Sequence, residues 1–211
     1  MHIEQLWRYP VKSMAGERLS RVWVSAGGVD GDRTVQVRDA AGHMLTARRY
    51  PALLGLQATQ HDDGEPRVNG RLWSAPETIA AVRTATVPDA MLVRNEDPER
   101  FDILPLLVAT DGAIAALGID GRRLRPNIVV GGVPGTAERD WPGRTLHIGG
   151  VAIRLDSLRG RCVMTTWDPD TLVQDPSVLR RIARDFGGKV ALNADVLTPG
   201  WLSAGDSVVL A

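Results

Sequence analysis

The chain has 211 residues, 44% of them hydrophobic, with 25 Lys and Arg against 25 Asp and Glu and therefore no net charge at neutral pH. Length and apolar content suffice for one large or two small globular domains, and the charge balance removes the broad basic field that would point to nucleic acid or an anionic membrane. A single cysteine excludes an internal disulfide framework, a four-cysteine zinc site and a cysteine-ligated iron–sulfur cluster within this chain.

The N-terminal stretch MHIEQLWRYPVKS has no basic segment leading into an apolar run, and no stretch approaches the roughly 18 consecutive apolar residues of a membrane helix. The expectation is a soluble, cytoplasmic protein without a membrane segment. The 22 Gly and 13 Pro favour many short elements joined by turns. In chain order, β-rich runs are expected at Arg21–Ser25, Arg33–Arg38 and His43–Thr46, then at Ala52–Thr59, Arg67–Trp73 and Thr78–Ala85. A β-rich first portion thus spans 1–87, and a second portion spans 88–211. In the second, an apolar strand runs into Thr110, which caps a short helix ending at Gly118. Further strands are expected at Asn127–Gly131, Thr145–Ile148, Val151–Leu155, Val163–Thr166, Val190–Leu197 and Ser207–Leu210. The clearest helix follows Asp175 as N-cap, with Pro176 at its first position, Gly187 past its end, and an apolar face of Val178, Leu179, Ile182, Ala183 and Phe186. The fold class is α+β, β-dominated, with two sequential β-rich portions and few short helices.

The four histidines, His2, His43, His61 and His147, are scattered without metal-ligand spacing. The stretches AGGVDGDR and VVGGVPGT match no phosphate-loop pattern and read as turns, as does Asp168-Pro169-Asp170. Cys162 is different. Arg159 and Arg161 stand beside it, and nearby cations enlarge the thiolate fraction, the form that binds soft metals or attacks electrophiles.

Three separated blocks carry a family resemblance. LWRYPVKSMAGERL with GGVDGDRTVQVRDAAGHMLTARRYPAL is similar to the β-rich N-terminal region of proteins with a molybdenum cofactor sulfurase C-terminal (MOSC) domain, and LRPNIVVGG followed by RCVMTTWDPDT resembles the MOSC β-barrel domain itself. The resemblance reaches from Leu6 to Leu210 and extends to the amidoxime-reducing branch of the family. It implies a molybdenum cofactor, a pyranopterin ending in a phosphate, with Cys162 as the protein's metal ligand. Lys12 and Ser13 would contact the polar end of the cofactor, Arg33 the pterin or phosphate, and Arg125 and Asn127 the pterin and phosphate region. Gly160 and Arg161 would add contacts beside the metal, Arg48 belongs to a similar block, and Asp102 matches an acidic, catalytic position near the metal. Two departures stand out: Ile103 and Leu104 follow Asp102 where relatives carry small polar residues, and Met14 stands where relatives often place a second cysteine.

The activity implied is an oxidoreductase that removes oxygen from a small N-hydroxylated or N-oxide substrate, with electrons delivered by an external electron-donor protein. The alternative is a sulfur carrier or cofactor-handling protein working through Cys162. A scaffold that has lost its cofactor is a third reading.

Overall fold

The computed structural model describes residues 1–95, 97 and 100–211. In chain order the strands are β1 (His2–Arg8), β2 (Glu17–Leu19), β3 (Arg21–Ser25), β4 (Gly28–Val29), β5 (Val35–Arg38), β6 (Met44–Leu45), β7 (Ala58–Gln60), β8 (Pro66–Val68), β9 (Arg71–Leu72) and β10 (Met91–Arg94). The second portion contributes β11 (Leu106–Thr110), β12 (Ile128–Gly131), β13 (Thr145–Ile148), β14 (Val151–Gly160), β15 (Lys189–Thr198), β16 (Gly200–Ser203) and β17 (Val209–Leu210). The helices are α1 (Pro76–Ala85), α2 (Asp111–Leu117) and α3 (Pro176–Phe186). The fold is β-dominated α+β.

An eight-stranded sheet in the order β17-β13-β14-β15-β11-β12-β1-β2 forms the frame. Strands β11 and β12 run parallel, joined across α2; the other pairings in the frame are antiparallel. Its apolar face packs Leu6, Val108, Ile128, Leu146, Ile153 and Leu192 into one core. The expected barrel is not closed. The ladder ends at β17 and at β2, and one bridge, His2 to Ser207, brings β1 back toward the β17 end. A second core around Val35, Val37, Leu53 and Val82 lies under the small β10-β5-β6 sheet and α1. Strand β16 pairs with β3, so the end of the chain ties down the beginning.

Local signals explain most elements. Thr110 Oγ1 accepts from Ala113 N at 3.2 Å and caps α2, and Gly118 closes it in the left-handed region. Asp175 caps α3 by accepting from Ser177 N, with Val178, Ile182 and Phe186 buried; Ala183, expected on that face, is exposed. Two expected strands are not strands, and a third is strand only at its end. Thr78–Ala85 lies in α1, where Pro76 takes a first-turn position, Glu77 complements the N-terminal dipole, and the four-apart pair Thr78 and Val82 is buried. Ala52–Thr59 begins as a 3₁₀ turn started by Pro51 and reaches strand only at Ala58, and Val163–Thr166 is a 3₁₀ turn directly after Cys162.

Candidate functional site

Six segments converge on one cleft: the exit of β1, the turn before β5, the stretch after β6, the approach to β11, the approach to β12 and the end of β14. Backbone bonds fix the first two against each other. Arg33 N donates to Tyr9 O at 2.8 Å, Val35 N to Pro10 O at 3.2 Å and Lys12 N to Val35 O at 2.8 Å. Asp32, fully buried, accepts from Tyr9 N at 2.7 Å through one oxygen and pairs with the Arg33 guanidinium through the other. Gly16 is required here, because a Cβ would stand 2.4 Å from Arg8 O and from the Tyr9 ring.

The cleft holds a cavity of about 110 Å³ whose wall includes Lys12, Ser13, Arg33, Arg48, Asp102 and Arg125 and, from the end of β14, Arg159, Gly160, Arg161 and Cys162. Nine of the ten residues singled out from the sequence therefore share one cavity. The tenth, Asn127, is buried in the frame: its side chain accepts from Leu107 N at 3.1 Å and donates to Trp7 O at 3.4 Å, splicing β1, β11 and β12 just under the site. Cys162 is half-buried, and its carbonyl accepts from both Thr165 N and Thr165 Oγ1, which sets the turn that presents the thiol.

Cations dominate the wall. Asp102 is the hub of three of them, with Lys12 Nζ at 2.9 Å, Arg48 Nη2 at 3.0 Å and Arg159 Nη2 at 2.9 Å. Burial alone would raise the Asp102 carboxyl, but the Lys12 ammonium, then Arg48 and Arg159, pull it down to about 2, so it is ionised at neutral pH and holds no proton to donate. A register shift of β14 against β15 between Leu158 and Gly160 aims Arg159 inward, where Asn193 Oδ1 accepts from it at 3.2 Å.

Arg125 and Arg161 behave differently from the paired cations. The Arg125 guanidinium stacks on Tyr9 at 4.3 Å and donates no hydrogen bond to any described residue. Arg161 Nη2 reaches Leu124 O at 2.6 Å, yet its buried Nε has no partner among the described residues. Burial lowers both guanidinium groups to about 10, still charged at neutral pH. Three non-glycine residues on this wall, Ser13, Arg33 and Arg125, hold positive φ of 73°, 55° and 55°. Such backbone costs about 1–3 kcal/mol per residue and persists where the surroundings impose it.

Next to this cavity lies a larger one of about 390 Å³ with walls of Trp7, Tyr9, Leu54 and Trp167; Arg123, Arg125 and Met164 line both. Arg123 donates to Thr166 O at 2.9 Å and to Asp168 at 2.9 Å, and Arg122 pairs with Asp120 and Asp170. Asp168 also accepts from Thr171 N and Asp170 N, which first of all holds its carboxyl at about 2 and makes the Asp-Pro-Asp segment a braced turn. Sequence reasoning did not single out Tyr9 or Asp32, and it noted Arg159 only as a neighbour of the thiol. Tyr9 and Asp32 lie within the YPVKS and GDR blocks, which is the only linear signal that could have found them.

The donor set suits a group that brings both an anion and a soft metal. No three His, Cys, Asp or Glu converge among the described residues, so a metal at Cys162 must bring most of its own ligands. The spare donors of Arg125 and the orphaned Arg161 Nε supply what a phosphate or pterin requires. A dithiolene-bound metal with a terminal phosphate fits the residues present.

Thiol and cations together define a cation-lined cleft with a single thiol in its wall, set in an open β-rich frame. The chain is a MOSC-domain protein: residues 1–97 match the MOSC N-terminal beta barrel domain and residues 109–209 the MOSC domain. It is similar to mitochondrial amidoxime-reducing component 1 of Homo sapiens, 26% identical over 283 residues that cover 99% of this chain and 82% of the relative. Mitochondrial amidoxime reducing component 2 of Homo sapiens is 27% identical over 234 residues, covering 82% of this chain and 68% of that protein. The solved YUAD protein of Bacillus subtilis shares the fold, with a TM-score of 0.55 at 14% identity, over 99% of this chain and 94% of its own. Among the described residues no helix is long and apolar enough to cross a membrane.

Proposed function

We propose that the chain binds a molybdenum cofactor with Cys162 as its protein ligand and reduces N-hydroxylated or N-oxide compounds. The observation that supports this most is the single thiol sharing one cavity with Arg125, whose guanidinium donates to no described residue, and with Arg161, whose Nε has no partner among the described residues. The similarity to amidoxime-reducing components supports the choice of reaction class.

When bound, the cofactor supplies the two-electron redox chemistry of oxygen-atom removal, in which the N–O bond breaks and two electrons and two protons convert the oxygen to water. The chain's part is to bind and orient. Cys162 offers the thiolate, Arg125 and Arg161 offer N–H donors to phosphate and pterin, and Lys12, Ser13 and Arg33 add polar groups to the same wall. The aromatic cavity beside them can take a flat heterocycle. The cationic wall also lowers the cost of negative charge developing on a departing oxygen. In this reading electrons come from an external donor protein; these 211 residues, with one cysteine, hold no cysteine-ligated iron–sulfur cluster.

The test is composition followed by turnover. Protein from a host that makes the cofactor should carry about one molybdenum per chain and reduce an N-hydroxylated substrate with an artificial electron donor, and Cys162→Ala should lose the metal while staying folded. Metal-free wild-type protein from such a host overturns the reading. If it carries one added sulfur on Cys162 instead, the sulfur-carrier function takes its place.

A further inference from the structure

Asp102 touches three cations and, among the described residues, is the one carboxylate in the wall of the thiol cavity. We propose that Asp102 is a tethered anion: it occupies the oxyanion place formed by Lys12, Arg48 and Arg159 and so determines which anions the cavity accepts. The inference deepens the reading above and rests on it for the identity of the natural ligand.

The arrangement separates a competitor from a scaffold. Two of the three cations are anchored without Asp102. Lys12 Nζ also donates to Arg100 O at 2.7 Å, and Arg159 Nη1 to Asn193 Oδ1 at 3.2 Å, with Asn193 in turn held by Ser157 Oγ at 3.1 Å. Only Arg48, whose side chain is half exposed, relies on the carboxylate for a hydrogen bond. Removing the charge of Asp102 therefore leaves two positioned donors facing the cavity. Three positive charges against one negative also leave the place attractive to an incoming anion, and Asp102, 37% exposed in its side chain, can swing out without repacking a core.

Selectivity follows from a difference of affinities. At this place free phosphate or sulfate gains only what Lys12, Arg48 and Arg159 offer, and must first displace a carboxylate at hydrogen-bond distance from all three. A phosphate monoester that belongs to a larger ligand, one also reaching Arg125, Arg161 and Cys162, has further contacts with which to offset that displacement. Asp102 is thus a specificity-determining residue that keeps small, abundant oxyanions out.

The experiment uses the full chain made in a host without the cofactor, titrated calorimetrically with inorganic phosphate at low ionic strength. Asp102→Asn should bind phosphate at least about tenfold more tightly than wild type, with a steeper loss of affinity on adding salt. Asp102→Glu should restore weak binding, and Asp195→Asn, which removes an unrelated partner of Arg154 on β15, should bind as wild type does. Folded Asp102→Asn that binds phosphate no more tightly than wild type overturns the proposal, and Asp102→Ser serves if the amide variant does not fold. Molybdenum content of the wild type is measured separately. Its absence sinks the cofactor reading and leaves the phosphate result standing, whereas a loaded wild type with an unresponsive Asp102→Asn sinks this inference alone.

Discussion

The guanidinium carbon of Arg125 lies 4.3 Å from the centroid of the Tyr9 ring, and the hydroxyl of that ring donates to the carbonyl of Pro126, the next residue along. Tyr9 thereby grips both a side chain and the backbone of the segment that leads into β12. Arg125 reaches its place in the left-handed region with no hydrogen bond from its guanidinium to a described residue, so the ring is what holds the charge between the two cavities.

Tyr9→Phe keeps the ring and loses only the hydroxyl. It should cost about 1 kcal/mol of stability and leave cofactor retention unchanged. Tyr9→Leu removes the aromatic face and should lower both melting temperature and pterin content. Burial pushes the Tyr9 phenol up from 10.0 to about 12. Its contribution is therefore complete below pH 10, where neither state is ionised, and is lost as pH rises from about 10 to 12, because the unfolded chain ionises first. Tyr9→Phe lacks this alkaline loss, and thermal melts of the two proteins across that window measure it.

The acid side is set by Asp102. Its carboxyl falls from 3.8 to about 2, so its stabilising effect is present above pH 4 and disappears as pH drops toward 2, where folded and unfolded chains are both protonated. With its side chain more than a third exposed, the contribution is about 1–2 kcal/mol once solvent screening is allowed for. Asp102→Asn should therefore melt below wild type at neutral pH, and the gap should close as the pH falls through that window. A gap that stays constant down to pH 2 would mean that the ion pairs contribute nothing to stability.

Much of the fold was legible because its signals are local. The caps of α2 and α3, Thr110 with Gly118 and Asp175 with Gly187, sit at fixed offsets from apolar residues and need no tertiary context. Strand propensity misled where a proline outranked it. Thr78, Ile79 and Val82 favour a strand by side-chain type, but Pro76 at the head of α1 and burial four residues apart made a helix. The barrel expected of the second portion failed for a different reason, since closure depends on how the edges β17 and β2 meet, and no residue spacing reports that. At the site, the sequence blocks named residues that the structure brings to one cavity. What remained hidden were relationships across the chain, such as Asp32 bonding the backbone of Tyr9 or Arg159 reaching Asp102 across 57 positions.

Ser13 allows backbone and side-chain roles to be separated. It is buried, with φ at 73°, where a Cβ is strained and glycine is not. Ser13→Gly should melt at or slightly above the wild-type temperature, and Ser13→Val should lose about 1–3 kcal/mol, because a β-branched residue tolerates this conformation poorly. Cofactor content then reads the hydroxyl alone. If Ser13→Gly folds well but retains less pterin, the hydroxyl contacts the ligand. If it retains as much as wild type, Ser13 serves only to turn the chain so that Lys12 faces the cavity, and the contact assigned to it falls away.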